Sequence, residues 1–307
     1  MKSIFTKKRS FPNFHPFQQK IMSITHDQNI LFPNSDKGLG PCAITYEQYV
    51  TDCLIHLQDT NRYKQLTKEE ALSQTTKLHT TISSWLTKHQ QCIDKIDAKH
   101  IRQHLQQNSQ NPFGQFYVTY KIHKGMSNGK WPTRPVCSDI SSLPHGLGKW
   151  VDQMLQPVAQ KQPSYFKDSF AIKNSMEQLS LPRGALLFTS DATSMYTNIP
   201  TDAALHAIST YLRTHENTTF HHYDSTALIE ALQIIFKNNF IQFGDTYWQQ
   251  ISGTGMGISP APPWATIFYA LHKQNFLPEW STHVIYYKRF IDDIFGIRLP
   301  HTHPVRN

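Results

Sequence analysis

The stretch RFIDDIFGI, residues 289–297, places two adjacent aspartates, Asp292 and Asp293, in the middle of an otherwise apolar run. Two carboxylates about 4 Å apart repel each other by roughly 4 kcal/mol at an effective dielectric constant near 20. The pattern fits a β-hairpin, in which residues 283–290 and 294–299 are strands and the segment between them is an exposed turn rich in Asp. It also fits a site where bound cations neutralise the paired charges. Other parts of the chain must distinguish the two interpretations.

Composition narrows the class of protein. The chain has 307 residues, of which 39% are hydrophobic, and this is enough for one large domain or two ordinary ones. Thirty Lys and Arg residues against 22 Asp and Glu residues give a net charge of +8. This balance favours polyanionic partners, above all nucleic acid, although a basic protein without such a partner has the same charge. No apolar run reaches the roughly 18 residues that a membrane span needs, so we expect no membrane partner.

The cysteines and histidines give no local metal signature. Four cysteines occur, far apart and without a CxxC pair: Cys42, Cys53, Cys92 and Cys137. This usage is typical of reduced thiols in an intracellular protein, and it predicts neither a disulfide framework nor a zinc module. Adjacent histidines such as His221 and His222 point apart on a helix or strand, so the histidine spacing predicts no zinc site either.

Local patterns predict a mixture of helices and strands. Thr45 with Gln48, and Thr67 with Glu70, have the spacing of capping boxes that begin helices. Further helices are predicted at residues 147–157, 201–213, 225–239 and 261–276. Strands are predicted in FYVTYKIHK, residues 116–124, and in the hairpin FIQFGDTYWQQI, residues 240–251. We therefore expect an α+β core.

A third aspartate offers a partner for the Asp-Asp pair. Asp191 ends the apolar strand ALLFTSD, where a side chain emerges from a rigid sheet. Asp191 lies far upstream of Asp292, so only the fold can bring the two together. A cluster of these carboxylates would suit Mg²⁺, which prefers oxygen ligands. Two such ions, with Mn²⁺ as an alternative, activate the 3′-hydroxyl and stabilise the leaving pyrophosphate in polymerases.

At these residues the sequence resembles a known family. Three stretches look, in order, like palm motifs A, B and C of reverse transcriptases: LLFTSDATSMYTNIP (186–200), SGTGMGISPAPPWATIF (252–268) and YKRFIDDIFGI (287–297). Further phrases resemble, more narrowly, the Penelope-like retroelement polymerases: SDKGLGP (35–41), YKIHK (120–124) followed by RPV (134–136), SMYTNIP (194–200) and FIDDIF (290–295). The resemblance covers residues 34–297, and five motifs in the same order are far more specific than any one of them.

The resemblance implies roles for individual residues. Asp191 and Asp292 would be the principal metal ligands, and Asp293 would support them. Tyr196 matches the aromatic sugar gate that excludes a 2′-hydroxyl, and a core tyrosine is the alternative. Cations of the fingers would clamp the incoming triphosphate, although solvated surface charge is the alternative: Lys121, Lys124 and Arg134. Glycines of motif B would let the backbone lie close to template and nucleotide: Gly253, Gly255 and Gly257. Lys37 would face template or nucleotide, or belong to a turn.

The resemblance also implies an architecture. We expect an α+β right-hand polymerase fold with a basic arm at residues 1–33, a helical region leading into the fingers at 34–110, and fingers and palm at 111–307. The family continues after motif C into a primer grip, a thumb and often a GIY-YIG endonuclease, and the few residues after Asp293 match none of these. We therefore expect the thumb to be missing.

Three departures from the family pattern stand out. Phe290 replaces the usual Tyr and keeps the ring, whereas Gly255 and Thr266 replace the Ala and Asn expected in motif B.

The function that the resemblance implies is RNA-directed DNA polymerase activity with an RNA template, a DNA primer and deoxynucleoside triphosphates. An intracellular and, for a working element, nuclear location would follow. A catalytically inactive, truncated retroelement remnant that at most binds nucleic acid is the first alternative. An RNA-templated RNA polymerase is the second, because carboxylate geometry alone does not select the sugar. The sequence gives no oligomeric state.

Overall fold

The computed structural model describes residues 29–219, 224–274 and 283–300, together with Lys20 and Ser23. Most of the predicted basic arm lies outside these residues. Within them, no helix is both long enough and apolar enough to cross a membrane.

Helices and strands alternate irregularly along the chain, so the predicted α+β class is confirmed. The helices are α1 (Tyr46–Leu57), α2 (Lys68–Lys88), α3 (Lys95–Gln107), α4 (His145–Gln160), α5 (Ser169–Glu177), α6 (Thr201–Thr219), α7 (Ser225–Lys237) and α8 (Ala261–Gln274). The strands are β1 (Ile30–Leu31), β2 (Ile44–Thr45), β3 (Tyr63–Leu66), β4 (Gly114–Tyr120), β5 (Thr133–Ser138), β6 (Leu186–Asp191), β7 (Asn239–Phe243), β8 (Thr246–Gln250), β9 (Val284–Phe290) and β10 (Asp293–Arg298). Short 3₁₀ turns lie at Asp36–Gly38, Ile122–Lys124 and Tyr196–Asn198.

The larger sheet has five strands in the order β3-β8-β7-β4-β5. Only the β4–β7 pair is parallel. Along β4, Phe116, Val118 and Tyr120 are buried in alternation with more exposed residues, as the period of two predicts. The predicted strand at 116–124 is too long, because Ile122–Lys124 turns into a 3₁₀ helix that directs the basic end of the segment away from the sheet.

The smaller sheet has three antiparallel strands in the order β6-β10-β9. The hairpin predicted around the Asp-Asp pair is confirmed by β9 and β10. Strand β10 also pairs with β6, so the apolar strand that ends at Asp191 lies beside the hairpin. The ring of Phe188 covers Gly296 on the neighbouring strand, and a Cβ atom at Gly296 would collide with it.

Six helices, α2, α3, α4, α6, α7 and α8, share the main hydrophobic core. Trp264 stacks on Phe236 with ring centroids 4.1 Å apart, and the Trp85 and Trp150 rings meet edge to face at 5.2 Å. Tyr196 and Ile291 also pack against this core, which ties both ends of the candidate site to the helical layer.

Predicted helix starts agree with the structure better than predicted ends. The helices α6, α7 and α8 begin at the expected residues, but α6 continues to Thr219 instead of 213 and α4 spans His145–Gln160 instead of 147–157. The predicted end of α8 at residue 276 lies outside the described residues. Thr67 and Glu70 form a complete capping box, with hydrogen bonds of 3.1 and 2.8 Å. Thr45 forms only half of one, because it accepts from the backbone N–H of Gln48 while the Gln48 side chain donates to Asp52. The helix predicted to reach residue 239 ends at Lys237, because residue 239 already begins β7.

Candidate active site

The fold brings the distant aspartates together. Asp191, the last residue of β6, is directly opposite Asp293, the first residue of β10. Residues opposed in this way have Cβ atoms about 4.5–5.5 Å apart on the same face of a sheet. The backbone N–H of Ala192 donates to the carbonyl of Asp292 at 3.0 Å, which fixes the hairpin turn against the end of β6. Asp191, Asp292 and Asp293 therefore all lie at one end of the smaller sheet.

The turn between β9 and β10 is strained. Ile291 has φ 52°, a left-handed conformation that is rare for a β-branched residue. Such a conformation costs about 1–3 kcal/mol and is found mainly where the surrounding structure enforces it, as at active sites. Here the enforcement comes from packing of Ile291 against the helical core and from the hydrogen bond between Ala192 and Asp292. The backbone position of Asp292 is thus tightly determined.

Tyr196 lies next to this turn. It begins the 3₁₀ segment that follows β6 and packs partly against the core. Burial raises the pKa of Tyr196 to about 12, the negative charge of Asp292 adds to this rise, and Arg134 opposes it. The hydroxyl is therefore close enough to feel both groups.

Three predicted cations lie around one corner of the larger sheet. Burial lowers the pKa of Lys121, and the neighbouring charges of Arg134 and Lys124 lower it further. The negative charges of Asp36 and Asp191 act in the opposite sense and favour the charged form of Lys121. A cluster of like charges is costly until an anion joins it, so this corner is electrostatically suited to a polyphosphate.

Asp36 is a site residue that sequence reasoning missed, because it lies in a Gly-rich turn where Asp is common. Arg134 Nη1 donates to Asp36 Oδ1 at 2.9 Å, and Asp36 is almost fully buried. The pair anchors the 3₁₀ turn Asp36–Gly38 to β5. Lys37 has φ 60° and an exposed position in this turn, so the turn interpretation accounts for its backbone.

The predicted glycines lie in a loop that packs tightly against the protein itself. A Cβ atom at Gly253 would come within 2.7 Å of the Thr197 carbonyl, and one at Gly255 within 2.7 Å of Cys137 Cβ. Gly257 has φ +108°, and its Cβ would meet the Cys137 carbonyl at 2.8 Å. The glycines thus join the loop to β5 and to the turn that carries Tyr196. This contact also explains why Gly255 stands where Ala was expected.

The other two departures have local explanations. Thr266 donates from its hydroxyl to the Pro262 carbonyl at 2.9 Å, so the shorter side chain is satisfied within α8. Phe290 is exposed at the end of β9, with its ring centroid 5.7 Å from that of Phe166. The two rings help to line an open cavity of about 530 Å³ beside Asp293.

A buried pair behind the glycine loop was not predicted. Asp139 Oδ1 lies 3.1 Å from His145 Nδ1, and Asp139 Oδ2 accepts a hydrogen bond from the backbone N–H of Ser259 at 3.3 Å. Asp139 and His145 are both buried. They connect the start of α4 to the loop before α8, and thus support the glycine loop from behind.

No protein-family model matches the chain, and no curated protein matches it. Several solved structures are similar to it. The telomerase of Candida albicans, in complex with a TWJ fragment of telomeric RNA, is similar with a TM-score of 0.54 at 9% identity, over 92% of this chain and 47% of that one. The apo telomerase of Candida tropicalis gives a TM-score of 0.51 at 12% identity, over 91% of this chain and 47% of that one.

These similarities identify the class of fold. The chain has a mixed α+β, reverse-transcriptase-like polymerase fold. It spans about half the length of the two telomerase chains that it matches. The similarity lies in the path of the chain, since so few residues are identical.

Proposed function

We propose that this chain contains the fingers and palm of an RNA-directed DNA polymerase of a Penelope-like retroelement. The observation that carries the proposal is the register of β6 and β10, which opposes Asp191 to Asp293 beside the strained turn of Asp292. The motifs that resemble the family therefore meet in space. The reverse-transcriptase-like fold supports the same class of enzyme.

The three carboxylates fit the magnesium ions that the family uses. Asp191 and Asp293 are exposed, and Asp292 is half-buried, so their oxygens are open to a cation. An all-oxygen donor set that leaves room for substrate phosphates suits Mg²⁺ or Mn²⁺. Asp191 and Asp292 would hold the ions, with Asp293 in support. When bound, the ions would lower the pKa of the primer 3′-hydroxyl and stabilise the leaving pyrophosphate.

The remaining residues would position the nucleotide. Lys121, Lys124 and Arg134 would bind its triphosphate and offset the negative charge that grows as pyrophosphate leaves. Tyr196 lies beside Asp292 with its ring partly buried, where it would exclude a ribose 2′-hydroxyl. The glycine loop that carries Gly253 would present its backbone to template and nucleotide. An RNA template is further supported by the telomeric RNA in the similar Candida albicans structure.

The test is primer extension on an RNA template with deoxynucleotides and Mg²⁺, with Asp292→Asn and a matched control. Asp292→Asn keeps the shape of the side chain and removes its charge. Asp94→Asn is the control, because Asp94 caps α3 through a hydrogen bond to Ile96 and Asn caps equally well. We expect extension from the unmodified protein and from Asp94→Asn, and background signal from Asp292→Asn. Equal extension by Asp292→Asn and the unmodified protein would remove the catalytic assignment.

A further inference from the structure

A second cluster of potential metal ligands lies outside the aspartate site, at the junction of α2 and α7. It contains His89, Cys92 and Asp224, and one ligand atom from each side chain lies within 4.8 Å of the other two. His89 is the residue that caps the C-terminal end of α2, and Asp224 is the N-cap of α7. The cluster thus joins segments that are far apart in sequence.

The backbone holds His89 and Cys92 together. The N–H of Cys92 donates to the carbonyl of His89 at 2.9 Å, which closes a turn directly after α2. The N–H of His89 donates to the carbonyl of Trp85 at 3.0 Å, and the Trp85 ring packs against the imidazole. Trp85 also donates from Nε1 to the carbonyl of Ala227 in α7, at 3.1 Å. The two helices are therefore fixed to each other beside the cluster.

Asp224 has one oxygen for the helix and one for the cluster. Its Oδ1 accepts the N–H of Ala227 at 2.9 Å, which caps α7. Its Oδ2 lies 3.2 Å from the sulfur of Cys92. In a tetrahedral zinc site, with metal–ligand distances of about 2.0–2.3 Å, ligand atoms lie roughly 3.3–3.8 Å from one another. The cysteine and aspartate are already at nearly this separation.

In many metal sites a carboxylate hydrogen-bonds to the ring nitrogen of the histidine ligand that does not bind the metal, and Glu230 is placed to do this for His89. Its Oε2 lies 2.8 Å from Nε2 of His89, and its Oε1 pairs with Lys88. A proton on Nε2 donated to Glu230 leaves the lone pair of the imidazole on Nδ1, ready for a metal. Glu230 is thus held by Lys88 on one oxygen and contacts the imidazole with the other, which fixes the orientation of His89.

We propose that His89, Cys92 and Asp224 bind one Zn²⁺ ion, with Glu230 as the carboxylate that orients His89. A thiolate and a carboxylate together balance the charge of the ion. The mixed sulfur, nitrogen and oxygen donors suit Zn²⁺ and Co²⁺ and contrast with the all-oxygen set of the aspartate site. The ion would link the end of α2 to the start of α7, and solvent would fill its fourth position. Its role would be structural and independent of polymerase activity.

The test is titration of the full chain, stripped of metal by a chelator, with Co²⁺ in excess Mg²⁺. Mg²⁺ occupies oxygen sites, whereas a thiolate–cobalt bond gives an intense charge-transfer absorption in the near ultraviolet. We expect this absorption at a stoichiometry of one, and its loss on addition of Zn²⁺. Absence of a thiolate–cobalt absorption in the unmodified chain would overturn the proposal and leave the cluster as a set of hydrogen bonds between two helices.

Matched variants assign the ligands. Cys92→Ser should abolish the absorption, and Cys92 is exposed, so the fold should tolerate the change. Cys42→Ser is the control and should leave the absorption unchanged. Asp224→Asn keeps the cap of α7 and should weaken Co²⁺ binding by about 10-fold or more. Absorption that persists in Cys92→Ser, or that disappears in Cys42→Ser, would contradict the assignment.

Thermal unfolding gives a second readout. Zn²⁺ that binds only the folded chain should raise the melting temperature of the unmodified protein and of Cys42→Ser. It should not raise that of Cys92→Ser. An equal shift in all three proteins would place the ion elsewhere.

Discussion

Replacement of Arg134 by Ala should destabilise the chain more than replacement of its partner, Asp36. The two side chains form an ion pair with an N–O distance of 2.9 Å, but their exposures differ, at 34% for Arg134 and 8% for Asp36. Water can therefore hydrate the guanidinium that remains after Asp36 is removed. It cannot equally reach the carboxylate that remains after Arg134 is removed.

The magnitude follows from this asymmetry. Loss of one partner from a buried ion pair typically costs about 3–5 kcal/mol, because an uncompensated charge remains. We place Arg134→Ala at about 3 kcal/mol, the low end, since the pair is only partly enclosed. Asp36→Ala should cost about 1 kcal/mol, the value of an ordinary lost hydrogen bond. In the double variant the two losses should not add, and the shortfall should be about 1–2 kcal/mol.

Urea unfolding of the four proteins measures these free energies, with Lys124→Ala as an exposed basic control that should change stability by less than about 0.5 kcal/mol. The dependence of the primer-extension rate on nucleotide concentration tests the second proposed role of Arg134, which is to bind the triphosphate. If Arg134 also binds the triphosphate, Arg134→Ala should raise the KM for nucleotide and Asp36→Ala should raise it much less. Equal and additive losses of stability from the two single variants would refute the argument from burial.

Three other changes test separate parts of the structure. Tyr196→Ala should increase ribonucleotide incorporation relative to deoxynucleotide incorporation, whereas Tyr196→Phe should not; equal selectivity of both would remove the sugar-gate assignment. Gly255→Ala should lower the free energy of unfolding in urea by about 1–3 kcal/mol, because the new Cβ atom would meet a neighbouring side chain at 2.7 Å. Gly148→Ala is the control and should leave the free energy of unfolding unchanged, because its Cβ atom would meet its first neighbour at 3.5 Å. Burial lowers the pKa of Lys273 to about 7, from the usual value of 10.5. Between these two pH values the unfolded chain binds more protons than the folded chain, so the free energy of unfolding should increase with pH, by on the order of 1–2 kcal/mol from pH 7 to pH 9. In Lys273→Met this increase should be absent.

Local sequence patterns predicted the strands and helices that carry the candidate site. The contacts between these elements depend on the tertiary structure, which no local pattern specifies. Alternation in β4 and the apolar run that ends at Asp191 are properties of a few neighbouring residues. The proximity of Asp191 to the Asp-Asp pair was a hypothesis that gained support from the family resemblance, whereas its register opposite Asp293 was not predicted, because no local pattern sets the register of strands so far apart. The helix predicted over 225–239 ended early because pairing in β7 outweighed local helical preference.

Other features were hidden from the sequence for the same reason. Asp36 is charged in a Gly-rich turn, and only its burial against Arg134 distinguishes it from an ordinary turn residue. The cluster of His89, Cys92 and Asp224 has no motif spacing, because its ligands come from the ends of two different helices. The spacing rules that led to the expectation of no zinc site apply to ligands within one segment.

The hairpin and the cation site were alternatives in the sequence, and the structure makes them compatible. A hairpin alone requires no third carboxylate, yet β6 delivers Asp191 opposite Asp293. In the part of the chain that the structure describes, no ion pair reaches any of the three aspartates, and Arg134 is already paired with Asp36. Under the proposed function, cations bound at this strand end would neutralise the three aspartates.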